Sequence, residues 1–290
     1  MTRRNNADRL GAPHPDAPEI PDTLFEDQKP DPLSFITPTE FVPLPSEGLF
    51  YPPGHPLSGQ DSVEIKFMTA KEEDLLTSRS LIEKGIVLDR LIDSLLVNRQ
   101  TRSRDLLVCD RNAILIAARA SGYGYDYKTT IACRNCGHQD SYDYDLNEAL
   151  VKGPRTADEL NELSVEVLQD GTFKVQIPSS PVDIQFRLLT GHDERAMMDN
   201  AERRRKKKLA DRNVTDMLNY MIVSVMGHED RETIAKYVDS LPMRDSRFLR
   251  KAYESVSPSI ELRKEFVCVN CDHTDDITFP FTTDFFWPNS

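Results

Sequence analysis

Two pairs of cysteines, Cys133–Cys136 and Cys268–Cys271, stand 131 residues apart in a chain of 290. They constrain the fold more than any other feature. Each pair can offer two sulfurs to one ion from one side, so the middle and the end of the chain must meet to complete a set of four. The surrounding segments repeat one another. I-A-Cys133-R-N-Cys136-G-His138 and F-V-Cys268-V-N-Cys271-D-His273 align as C-x-N-C-x-H, with an apolar strand leading in and alternating apolar residues leading out. Gly137 and Asp272 occupy the tight turn of each knuckle, where glycine tolerates left-handed backbone and aspartate is less unfavourable than a bulky residue. Four thiolates suit tetrahedral zinc and leave no open position, so one structural zinc per chain is expected. The cost of closing a long loop grows slowly with its length, and the wide separation is no obstacle.

Two other readings of the pairs exist: thiols without metal, or redox couples. Redox pairs normally sit at a helix N-terminus that depresses a thiol pKa, whereas both pairs here fall between strands. With four cysteines filling the shell, His138 and His273 are expected to hydrogen-bond near the sulfurs rather than ligate. The fifth cysteine, Cys109 in DLLVCD, reads as a small buried apolar residue. A cytoplasmic location is expected because the N-terminus lacks the apolar stretch of a secretory signal, and in that setting five cysteines are not a disulfide framework.

Twelve of the 19 prolines lie in residues 1–56. Proline fixes φ and removes a donor, so residues 1–40 read as an extended, proline-rich arm, mostly disordered in isolation. Its apolar islands contain Phe25, Phe35 and Ile36. These are candidate docking anchors for a partner, or they pack on the chain's own body. Residues 41–290 read as a single α+β domain with a helical core flanked by β-hairpins. The alternation of Val63, Ile65 and Phe67 predicts a strand over 62–68. Thr69 and Glu72 form a capping-box pattern opening a helix over 69–80. Further helices are expected over 88–98 and 111–121. The first knuckle lies in a strand-loop-strand unit over 128–144, and 148–162 reads as polar helix or loop. A hairpin over 165–177 turns at Asp170-Gly171, with a third strand over 182–189. Helices are expected over 193–209, 214–225, 231–241 and 245–256. The second knuckle follows over 263–279, meeting the first in a zinc-ribbon-like site.

The charge balance, 36 basic against 48 acidic residues and a net of −12, argues against general affinity for nucleic acid or anionic lipid. No run of 18 apolar residues exists to span a bilayer. The motifs of nucleotide-binding loops, zinc proteases and serine hydrolases are absent, and no enzymatic activity is expected. The one dense basic run, RRRKKK at 203–208, is expected mid-helix, either as a patch for nucleic acid or an acidic partner or as a solvated face.

With the knuckles placed, the chain resembles the baseplate hub protein family of T4-type contractile-tailed phages. The resemblance is carried by FVPLPSEGLFYPPGHPL at 41–57, VEIKFMTAKEEDLLTSRSLIEKGIVLDRLIDSLL at 63–96, the two knuckles, MRDSRFLRKAYESVSPSIEL at 243–262 and DFFWP at 284–288. It implies a non-enzymatic role in the central baseplate hub, as component or assembly factor, among other tail proteins, in the host cytoplasm during assembly and in the virion tail if retained. Under that role the aromatic run Phe285, Phe286 and Trp287 is expected to meet a partner, since aromatics are enriched at interface hot spots. The alternative is that it fills a groove on the chain itself, between the second knuckle and the helix over 245–256. A competing function is a zinc-ribbon nucleic-acid binder using RRRKKK and a stacking platform of Tyr123, Tyr125 and Tyr127.

Overall fold

The structure is a computed structural model in which residues 37–279 and 285–286 are described. Contacts divide the chain after Thr37, and the architecture below belongs to the second unit, Pro38–Ser290. The arm residues Phe25, Phe35 and Ile36 and the tail residue Trp287 lie outside the described residues.

Strands β1 (Thr39–Pro43) and β2 (Ser62–Lys66) pair antiparallel, Glu40 opposite Ile65 and Val42 opposite Val63. Strand β2 lies within the strand expected over 62–68, whereas arm and loop are expected where β1 forms. Pro43 is compatible with a strand because it ends one that is paired on a single side, where no ladder donor is lost. Three helices follow: α1 (Ala70–Thr77), opened by the expected box in which Thr69 N–H donates to Glu72 at 3.0 Å, α2 (Arg79–Glu83), and α3 (Val87–Leu95), whose Leu91, Ile92 and Leu95 are fully buried. Helix α4 (Val108–Tyr123) is apolar nearly all round and buries Ala113, Ile114, Leu115, Ile116 and Ala118.

The first knuckle joins β3 (Asp126–Ala132) to β4 (Gln139–Asp145). The segment expected to be helix or loop contains both a strand, β5 (Leu150–Lys152), and a helix, α5 (Ala157–Glu162). Strands β6 (Val165–Val167), β7 (Phe173–Gln176) and β8 (Asp183–Phe186) form an antiparallel run with Gly171 at φ +80° in the first turn. After α6 (Gly191–Lys206) and α7 (Asn213–Met221), the chain returns as β9 (Ile222–Val225), giving a four-stranded sheet in the order β6-β7-β8-β9. The single helix expected over 214–225 is therefore helix over its first two-thirds and strand over its last third. Ile222, Val223 and Val225 are β-branched and fit the pleated face beside β8 better than another helical turn. Helices α8 (Arg231–Ser240) and α9 (Met243–Val256) lead to β10 (Ser259–Glu261), which pairs with β5. Strands β11 (Arg263–Val267) and β12 (Thr274–Thr278) carry the second knuckle. No helix among the described residues is long and apolar enough to cross a membrane.

Three charged side chains of α4 are buried, and each fastens a distant segment. Asp110 accepts from Ser46 N–H at 3.0 Å, Ser46 Oγ at 2.6 Å and Tyr51 Oη at 2.7 Å. The Tyr51 hydroxyl in turn accepts from Leu107 N–H at 3.0 Å. Burial pushes the Asp110 carboxyl above the usual carboxylate range, and the three donors partly offset that cost. Gly48 makes the loop possible: at φ +70° its α-carbon lies against the Gln60 backbone, with no room for a β-carbon. Arg111 donates to Asp89 at 2.7 Å and to the Ser103 carbonyl at 2.7 Å, packed so closely under Gly191 that a side chain there would strike the guanidinium. Arg119 donates to the carbonyls of Phe285 at 3.2 Å, Gly124 at 3.1 Å and Asp126 at 3.4 Å.

Removing the Asp110 acceptor strands two hydroxyls and one N–H in a dry site. Asp110→Ala is expected to cost about 3 kcal/mol, read by urea unfolding, while Tyr51→Phe costs about 2 kcal/mol, because Asp110 keeps its Ser46 donors but the Leu107 N–H loses its acceptor. Equal losses in the two variants would contradict this account.

Candidate metal centre

The β3–β4 and β11–β12 hairpins pack through their aromatic faces. Phe279 meets Tyr127 and Tyr144 with ring centroids 5.9 and 5.3 Å apart, and Tyr142 meets Phe266 at 6.5 Å. At the exposed end Arg134 pairs with Asp275 at 3.2 Å. This packing brings the knuckles face to face. The sulfurs of Cys133, Cys136, Cys268 and Cys271 all lie within 4.8 Å of one another. Cys133 Sγ is 3.7 Å from Cys271 Sγ, and Cys136 Sγ is 3.6 Å from Cys268 Sγ. A disulfide needs about 2.05 Å, so these are free thiols. An ion bound by sulfur at about 2.3 Å in a tetrahedron sets neighbouring sulfurs about 3.8 Å apart. The four cysteines could therefore hold a metal ion.

The two knuckles are near copies in space. Cys133 N–H donates to the His138 carbonyl at 2.8 Å, and Cys268 N–H to the His273 carbonyl at 3.0 Å. Gly137 N–H returns to the Cys133 carbonyl and Asp272 N–H to the Cys268 carbonyl, both at 2.9 Å. Both turn residues adopt positive φ, +73° and +55°. The exchange extends to the sulfurs: Asn135 Nδ2 reaches Cys271 Sγ and Asn270 Nδ2 reaches Cys136 Sγ, each at 3.6 Å. The asparagine of each knuckle thus serves the second cysteine of the other. Their repetition is visible in C-x-N-C-x-H, but a role across the knuckles becomes apparent only when the hairpins face each other. The Asn270 amide, with the His138 backbone N–H, brings the Cys136 thiol down to about 6, whereas burial pushes Cys268 up to about 11.

The remaining residues singled out in the sequence fall elsewhere. His138 and His273 act in the knuckles through their carbonyls. Cys109 is buried, its thiol raised by burial and facing Asp110 at 3.5 Å. Phe285 and Phe286 are 0% and 1% exposed, so in this chain they pack inward, the arrangement of the self-packing alternative. Phe285 packs on Tyr127 of β3 with centroids 5.1 Å apart, and Arg119 of α4 holds its carbonyl. The basic run occupies the last turn and cap of α6, with Lys208 already at φ +54°, rather than mid-helix. Cations there face the carbonyl end of the helix, and Lys206 pairs with Glu202 at 2.7 Å. The three tyrosines form no stacking platform. Tyr127 is buried, Tyr123 lies over the Arg119 guanidinium and Tyr125 is exposed.

By class this is a mixed helix-and-strand protein whose distinctive site is a closed set of four thiols shared by two hairpins. The chain belongs to the T4 bacteriophage base plate protein family, which matches residues 55–287, about four-fifths of its length. Membership gives it a structural role in the phage tail, among other tail proteins. No curated protein and no solved structure matches it.

Because the Phe285 carbonyl is held by a buried guanidinium, Arg119→Ala should release the tail from its groove. The expected result is a loss of about 3 kcal/mol together with early chymotrypsin cleavage at Phe285 or Phe286. Cleavage at the native rate would show that the aromatic packing alone holds the segment.

Proposed function

We propose that this protein is a non-enzymatic component or assembly factor of the central baseplate hub, acting through contacts with other tail proteins and stiffened by one structural zinc. The observation that carries the reading is the set of four sulfurs at tetrahedral spacing in a chain of the base plate family. Thiolates are soft ligands that favour zinc over harder divalent ions. Four of them complete its coordination and leave no position for water or substrate, which supports a structural rather than a catalytic ion. Cys133, Cys136, Cys268 and Cys271 would hold it, and Asn135 and Asn270 would orient and charge-stabilise the sulfurs from the outer shell. The zinc joins two hairpins in a zinc-ribbon-like unit and so fixes the ends of the intervening segment. Assembly places the chain in the host cytoplasm before it joins the virion tail.

Elemental analysis of protein purified without chelator should find one zinc per chain. Cys268→Ser should lose the ion and melt at much lower temperature, because structural zinc contributes on the order of 10 kcal/mol in small zinc domains. Asn270→Ala should retain the ion with affinity reduced about 10- to 100-fold. Zinc far below one equivalent in the native protein would exclude the structural-ion reading.

The hub role is tested in the phage. Disrupting the gene should leave particles without an assembled central hub, and complementation should restore them. Antibody labelling of purified tails then separates a retained component from an assembly factor. Normal hubs in the absence of the protein would overturn the role.

A further inference from the structure

An open groove of about 290 Å³ lies along β1. Its floor is one face of α4, Ala113, Ile116, Ala117 and Ala120, recurring at helical spacing, and Val151 and Ile260, a cross-strand pair of the β5–β10 ribbon, line it as well. Two features of this groove specify what would fill it. The first is a strand edge. Phe67 N–H bonds the Pro38 carbonyl and Leu44 N–H bonds the Asp61 carbonyl, and in an antiparallel pair this alternation directs the backbone of Glu40 and Val42 toward β2. Thr39 and Phe41 therefore turn their N–H and C=O groups to the outer edge, and β1 has no strand partner there among the described residues. A free edge of this kind takes an extended polypeptide, whose backbone it pairs and whose alternate side chains it seats.

The second feature is electrostatic. Glu40 lines the groove, and its Oε1 is buried with no hydrogen-bond partner among the described residues. A carboxylate oxygen shielded from water beside an apolar wall is satisfied best by a cationic donor. Large apolar side chains stand exposed around the same groove, Phe41 at 70% and Val151 at 63%. The charge selects a cation, the edge selects extended backbone, and the exposed rim selects apolar neighbours.

We propose that this groove docks an extended, apolar segment of another tail protein, adding a strand beside β1 and placing one lysine or arginine on Glu40. The inference rests on the tail role only for where the partner is sought; the groove and its charge are properties of this chain.

The test is photocrosslinking in infected cells making the full-length protein with Phe41 replaced by photoreactive p-benzoylphenylalanine, and separately with the same group at Met243, which is 85% exposed and absent from the groove. Mass spectrometry of the Phe41 adduct should identify a tail-protein peptide of alternating apolar residues with a lysine or arginine. Glu40→Gln in the same background should reduce the adduct about tenfold, the loss of one charge-assisted contact, with unchanged melting. Exchanging the partner's cation for glutamate should have the same effect, and combining it with Glu40→Lys should restore the adduct. An adduct with a second copy of this chain, with nucleic acid, or with an acidic or polar segment would overturn the proposal. So would an adduct insensitive to Glu40→Gln. Adducts with tail proteins from Met243 but none from Phe41 would reject the groove while leaving the tail role intact.

Discussion

The structure depends on a constraint imposed by α4: a helix buried on nearly every side carries Asp110, Arg111 and Arg119, and none can be left without partners in that setting. A buried polar group lacking a hydrogen bond costs more than most single contacts contribute. Each of the three is satisfied by a different remote segment. The loop after β1 supplies Ser46 and Tyr51, α3 supplies Asp89 and the loop after it the Ser103 carbonyl, and the segment beyond β12 supplies the Phe285 carbonyl. Apolar burial alone would let these segments settle in several places on the helix. The directional bonds add a requirement of position and orientation that apolar contact does not impose.

The thiol centre obeys a different logic. Its two halves come from equivalent hairpins that face each other with reciprocal contacts, Asn135 on Cys271 and Asn270 on Cys136. Each hairpin alone provides two sulfurs and an amide with nothing to engage. Phe279 against Tyr127 and Tyr144 joins the two hairpins independently of the sulfurs. Aromatic packing and the four sulfurs thus hold the same two hairpins together at different points.

Much of this could be read from the sequence where the signal is local. The Thr69–Glu72 box, the Asp170-Gly171 turn and the repeated C-x-N-C-x-H need only a few neighbouring residues to declare themselves, and the two knuckles were close enough to one another in pattern to imply a common centre. What escaped depends on distant partners. Strands β5 and β10 have three residues each and become strands because they find one another across more than a hundred positions. Strand β9 continues a helix whose apolar run suits either period, and β8 decides the matter. Phe285 and Phe286 carry no mark in the sequence that separates an interface from a core; the Arg119 guanidinium, far away along the chain, makes that distinction.

Both extremities of the described chain are anchored to the same sixteen-residue helix, one through Ser46 and Tyr51 on Asp110 and the other through Phe285 on Arg119. The attachment points are nine residues apart, about 13 Å along a helix that rises 1.5 Å per residue. A pull applied between these two anchors would load a short length of α4 along its own hydrogen-bonded axis.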